Sequence, residues 1–167
     1  MNPTLTYIIV MGITATVLLD LWALVAKKFG MPTADWGIVG RWVGHMPKGR
    51  YAYSSIVELA DDSKKIKYEK IIGWVFHYAV GIFYAAIYYY LTIKLANPPT
   101  VYNAVAFGLA TVIAPWFIMQ PGMGLGVMAR LSPKKTIIRL YSLSAHTVFG
   151  IGLFLGYNIA YILVLSF

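Results

Sequence analysis

The sequence predicts an all-α polytopic membrane protein, a bundle of four transmembrane helices with an ordered cytoplasmic loop between the first two. Three observations predict it. Hydrophobic residues make up 59% of the chain and charged residues only 12%, and the mean hydropathy is +0.68, a balance suited to a membrane interior. Four apolar runs, at about 5–27, 71–93, 101–119 and 137–165, can each cross a hydrocarbon core ~30 Å thick. The cations gather beside those runs. One membrane domain, residues 1–167, accounts for the whole length.

The first run is preceded by Met1-Asn2-Pro3-Thr4. This lacks the basic n-region of a signal peptide, so the first helix is expected to stay in the mature protein. Every Lys and Arg except Lys94 lies next to or within the loops 28–70 and 120–136. The positive-inside rule makes those loops cytoplasmic and leaves both termini outside. Residues Leu95-Ala96-Asn97-Pro98-Pro99-Thr100 form a short outer turn, and Tyr7, Tyr88, Tyr89, Tyr90, Tyr102 and Tyr161 form an aromatic belt near it. The net charge of +8 then serves lipid headgroups and topology, so the bilayer is the expected partner and nucleic acid is not. With no cysteine, disulfides, thiolate metal ligands and iron–sulfur clusters are excluded.

The 28–70 loop has two parts. Gly30 to Tyr53 reads as an ordered segment at the membrane surface; its Gly40–Arg50 stretch, with Arg41, Lys48 and Arg50, can grip an anionic lipid or phosphate. Ser54 to Lys70 mixes Glu58, Asp61, Asp62 and Glu69 with lysines and reads as a short solvated helix.

Asp20 is the residue that calls for explanation. A carboxylate facing hydrocarbon costs about 2.5–3.5 kcal/mol even on lenient insertion scales, so it faces protein, a cavity or a ligand. Asp20 lies seven residues before Lys27, His77 seven after Lys70, and His146 seven after Arg139. All three therefore sit ~10 Å below the cytoplasmic interface, on three helices. Small residues share their stripes: Gly12 and Thr16 with Asp20, Gly73 and Gly81 with His77, Ser142 and Gly150 with His146. They allow close backbone approach, and equally leave room for a bound group. In the third run Pro115 and Pro121 break the helix near the same level and bring forward Gln120.

With His45 folded over from the loop, Asp20, His45, His77 and His146 make a three-histidine, one-carboxylate set suited to zinc, iron, manganese or copper. Arg41, Arg50 and Gln120 are the accompanying cofactor-binding candidates. A b-type haem held by His77 and His146, with arginines near its propionates, is a less economical variant. The function expected first is metal binding, for membrane-embedded chemistry or metal handling. A proton-coupled transporter or channel component using Asp20 and the histidines is the second reading. An accessory subunit whose polar contacts only pack helices is the third.

The segments Ala15–Leu24, Gly40–Arg50, Gly73–Ile82, Phe117–Gly124 and His146–Gly150 resemble a family of small bacterial inner-membrane proteins, the domain of unknown function 2938. The likeness spans nearly the whole chain. It implies a four-helix bacterial inner-membrane protein and brings no activity or ligand. Asp20, His45, His77, Gln120 and His146 all lie within the resembling segments.

Overall fold

The computed structural model describes residues 2–94 and 98–166; Leu95–Asn97 of the expected outer turn lie outside them. Helix α1 runs Pro3–Lys28, α2 Trp36–His45, α3 Ile56–Ala60, α4 Glu69–Lys94, α5 Val101–Ala110 and α6 Lys135–Leu165. Among the described residues every regular element is helical. Four segments are long and apolar enough to cross a membrane: Pro3–Lys28, Glu69–Thr92, Val101–Gly122 and Lys135–Leu165. They match the four predicted runs to within three residues at each end. Leu21, Leu24, Val75, Phe83, Ile113 and Ile162 are exposed on them, side chains of the kind that face hydrocarbon in a membrane-spanning helix.

The third of these is not a single α-helix. α5 ends where the Thr111 N–H bonds the carbonyls of Phe107 and Gly108, and a π-helical turn spans Pro115–Met119. The Gln120 N–H closes it on the Pro115 carbonyl, five residues back. Pro115 and Pro121 each lack an N–H and crowd the preceding turn, and the wider winding accommodates them. Residues Gln120–Gly122 return to α geometry before the chain leaves the span.

The chain forms two compact units. The first comprises Met1–Val25, Tyr78–Thr111 and Leu143–Phe167; the second comprises Ala26–His77 and Val112–Ser142. The first unit packs α1, α4, α5 and α6 around Met11, Ala15, Ala85, Ala104, Phe149 and Leu153. Its small residues bring backbones together. A Cβ added at Gly12 would stand 2.6 Å from the Ile82 Cα, and one at Gly152 would stand 2.5 Å from the Ala15 Cα. This is small-residue packing of the kind membrane bundles rely on. The predicted tyrosine belt divides here: Tyr88 and Tyr89 are buried, while Tyr90, Tyr102 and Tyr161 are exposed. Tyr88 turns inward because its hydroxyl donates to the Asn103 Oδ1 at 2.6 Å.

In the second unit the expected surface segment contains a helix, α2. Asp35 caps it, its Oδ1 accepting from the N–H groups of Gly37 at 2.8 Å and Ile38 at 3.2 Å, a device worth about 1 kcal/mol. Gly40 and Gly73 make α2 possible: a Cβ on Gly40 would run into the Glu69 carbonyl, and one on Gly73 into the Trp36 carbonyl. α2 thus lies in backbone contact with the start of α4. Val39, Trp42, Tyr53, Leu59 and Met123 form the core of this unit. Ser54–Lys70 is not one solvated helix. α3 stops at Ala60, Leu59 is buried, a 3-10 turn covers Asp62–Lys64, and Tyr68 takes a left-handed φ of 64°.

Candidate functional site

Polar side chains of the first unit pair across its four helices. Asp20 on α1 accepts a hydrogen bond from the Tyr78 hydroxyl on α4, 3.0 Å to its Oδ2. Two residues beyond Asp20, the Trp22 Nε1 donates to the Ser144 Oγ on α6 at 3.0 Å. Thr111, which ends α5, places its Oγ1 2.7 Å from the His146 Nδ1 on α6. The Thr111 hydroxyl also donates to the Gly108 carbonyl at 2.6 Å. The hydroxyl thus stands between the Gly108 carbonyl and the His146 Nδ1.

Close packing holds this arrangement. Gly108 and Gly150 sit where α5 and α6 touch: a Cβ on Gly108 would lie 2.8 Å from the Gly150 Cα, and one on Gly150 would lie 2.5 Å from the Ala104 carbonyl oxygen. The glycine one turn beyond His146 therefore serves backbone contact. The same holds for Gly12, while Gly81 makes room for the Thr16 side chain. Thr16 spends its hydroxyl on the Gly12 carbonyl at 2.7 Å.

The other candidates belong to the second unit. His77 stacks on Trp36, ring centroids 3.9 Å apart and planes 25° from parallel, and meets Trp74 edge-on at 5.9 Å. His45 ends α2, and its Nδ1 is hydrogen bonded to the Tyr53 hydroxyl. Arg50 pairs with Glu58 and lies 4.5 Å above the Tyr53 ring. Arg41 is 2% exposed. Its Nε and Nη2 reach the two Glu69 carboxylate oxygens at 2.8 and 3.0 Å, and its Nη1 reaches the carbonyls of Leu59 and Asp61, both at 2.9 Å. The guanidinium is committed to its own loop, and the hydrogen bond to Glu69 raises its already high pKa. Gln120 is 3% exposed. Among the described residues neither its Oε1 nor the Trp116 Nε1 has a hydrogen-bond partner, though both atoms are buried.

Asp20 and His146 thus share one unit, and His45, His77, Gln120, Arg41 and Arg50 the other. Among the described residues no group of three or more His, Asp or Glu side chains is gathered so that it can hold a metal ion. Tyr78, Thr111, Trp22 and Ser144 were not among the candidates read from the sequence. The signal for Tyr78 was the apolar period of α4: Gly81, Ala85, Tyr88 and Tyr89 are buried, and Tyr78 continues that stripe by one turn. Glu69 was read as a solvent-facing charge; its partner is Arg41.

The histidine in the loop carries a pH prediction. Burial, reinforced by Lys48, Arg50 and Arg41, lowers the His45 pKa from its ordinary 6.5. Burial also raises that of Tyr53, so near neutrality the phenol donates to a neutral imidazole. Between 6.5 and the lower folded value, the unfolded chain binds a proton that the folded chain does not, so stability falls as the pH falls. Melting temperatures measured between pH 7.5 and 5.5 are expected to drop more steeply for the wild type than for His45→Gln. Equal slopes would refute the assignment.

Four segments long and apolar enough to cross a membrane, with Asp20 on one and His146 on another each meeting a hydroxyl, define a small polytopic membrane protein. More particularly, the chain belongs to the family described as protein of unknown function DUF2938, whose model matches residues 9–160. No curated protein and no solved structure matches it.

Proposed function

We propose that the chain is a bacterial inner-membrane protein, with its basic loops cytoplasmic and its termini outside, that moves protons or a small polar solute by way of Asp20 and His146. One observation carries the reading: within a single unit, a carboxylate and an imidazole on different membrane helices are each held by a hydroxyl, Tyr78 to Asp20 and Thr111 to His146. Intramembrane carboxylates and histidines are used as proton relays and solute sites. The Tyr78 hydroxyl orients the Asp20 carboxylate, and Thr111 orients the His146 ring through its Nδ1. The cations of the loops suit anionic lipid at the cytoplasmic face, Arg50 included.

The test is pH-driven uptake in proteoliposomes loaded with a pH-sensitive dye. Wild-type protein is expected to carry flux, Asp20→Asn to abolish it, and Tyr78→Phe to reduce it about tenfold, the scale of one hydrogen bond to a charged group. Flux that survives Asp20→Asn unchanged would sink the proposal.

The competing reading keeps Asp20, His45, His77 and His146 as ligands of zinc, iron, manganese or copper, or the histidines as haem ligands, with Arg41, Arg50 and Gln120 nearby. It rests on the matched spacing of Asp20, His77 and His146 from flanking cations, and the hydroxyl partners of Asp20 and His146 favour the transport reading over it. Elemental analysis of protein purified without chelator decides: stoichiometric metal lost in both Asp20→Ala and His77→Ala would favour it over transport.

A further inference from the structure

The π turn of the third span presents a buried acceptor and a buried donor that nothing in the described chain satisfies, the Gln120 Oε1 and the Trp116 Nε1. Each is expensive in an apolar interior, and native structures tolerate such orphans rarely. Mobility of the segment does not explain them. The Gln120 carbonyl accepts from the Leu125 N–H at 2.8 Å, its N–H bonds the Pro115 carbonyl, and the Gly122 carbonyl accepts from the Tyr53 N–H at 3.0 Å. Gly122 is pressed against Trp42, whose ring a Cβ there would meet at 2.6 Å. The backbone that carries both side chains is thus held at several points. Trp116 and Gln120 are four residues apart, which puts them on one face of a helix, one above the other. π turns of this kind are frequent at functional sites.

The two groups are of opposite sense, and a single hydroxyl satisfies both, accepting from the indole N–H and donating to the amide oxygen. We infer that Trp116 and Gln120 form a binding site for a hydroxyl group, brought either by an enclosed water or by the headgroup of a neutral hydroxylated lipid. A water needs two to four polar partners, which this pair begins to supply. A charged ligand does not fit, because neither group carries a charge to offset its burial. The site is independent of Asp20 and His146, so its failure leaves the transport reading untouched.

The indole N–H signals of 15N-labelled protein in a hydroxyl-free zwitterionic detergent provide the test, with the Trp116 signal identified as the one lost in Trp116→Phe. In the wild type that hydrogen is expected to exchange slowly with solvent. Gln120→Leu is expected to shift its signal and speed its exchange roughly tenfold, as loss of a bridging hydrogen bond requires. Gln120→Met, closer in shape, repeats the measurement if the leucine variant does not fold. Titration with 1-monooleoylglycerol separates the sources. A saturable shift in the wild type, absent in Gln120→Leu, identifies a lipid hydroxyl; a signal already protected and unmoved by the lipid identifies water. A Trp116 signal whose position and exchange are unchanged by loss of the Gln120 amide overturns the inference.

Discussion

Arg41→Ala is expected to destabilise the second unit by about 3–5 kcal/mol, the cost of breaking a buried, hydrogen-bonded ion pair by removing one partner. The substitution strands the Glu69 carboxylate, 21% exposed, and removes the only guanidinium donors that reach the Leu59 and Asp61 carbonyls in the described contacts. Arg41→Lys is expected to recover part of the loss, because one ammonium keeps the charge but not the fork that engages both carboxylate oxygens. The pair Arg41→Met with Glu69→Met is expected to be less damaging than Arg41→Ala alone, since it leaves no unpaired charge. Melting temperatures in detergent distinguish these cases. An Arg41→Ala protein as stable as Arg41→Lys would show that the buried network contributes little.

Gly150→Val is the second large effect. A side chain there would force the α6 backbone away from Ala104 and Val105 of α5, and backbone atoms cannot rotate aside as a flexible side chain does. Overpacking costs about 1–3 kcal/mol and sometimes more. The loss is expected to reach uptake before it unfolds the unit, because Thr111 and His146 meet across the same pair of helices, 2.7 Å apart. Uptake should therefore fall further in Gly150→Val than in Gly150→Ala, while Gly30→Ala, where a Cβ meets nothing but φ is +73°, serves as a strained control in the other unit. Equal uptake in the two Gly150 variants would separate the packing from the site.

The residues differ in how far they could be read from the chain alone. The metal-ligand set was proposed from depth, and depth was counted along each helix from flanking cations. That count places a side chain along the membrane normal but leaves its rotation about the helix axis undetermined. His77, stacked on Trp36, and Tyr78, bonded to Asp20, are neighbours on α4 whose partners a depth count does not foretell. Arg41 and Arg50 looked alike as loop cations. One is buried on Glu69 and the other is half exposed beside Glu58, a difference set by contacts across 28 and 8 residues of chain. Gln120 was visible because Pro115 and Pro121 flank it; its unpaired oxygen and the matching Trp116 were not, since satisfaction of a polar atom is a property of its neighbours in space.

By itself the sequence determined the all-helical class and the four segments long and apolar enough to cross a membrane, because hydrocarbon thickness acts along one dimension, the length of an apolar run. Only the tertiary structure decided which face of each helix turns inward, that glycines serve backbone contact, and which hydroxyl meets which ionisable side chain. Those outcomes depend on how several helices pack at once, and no local pattern encodes them.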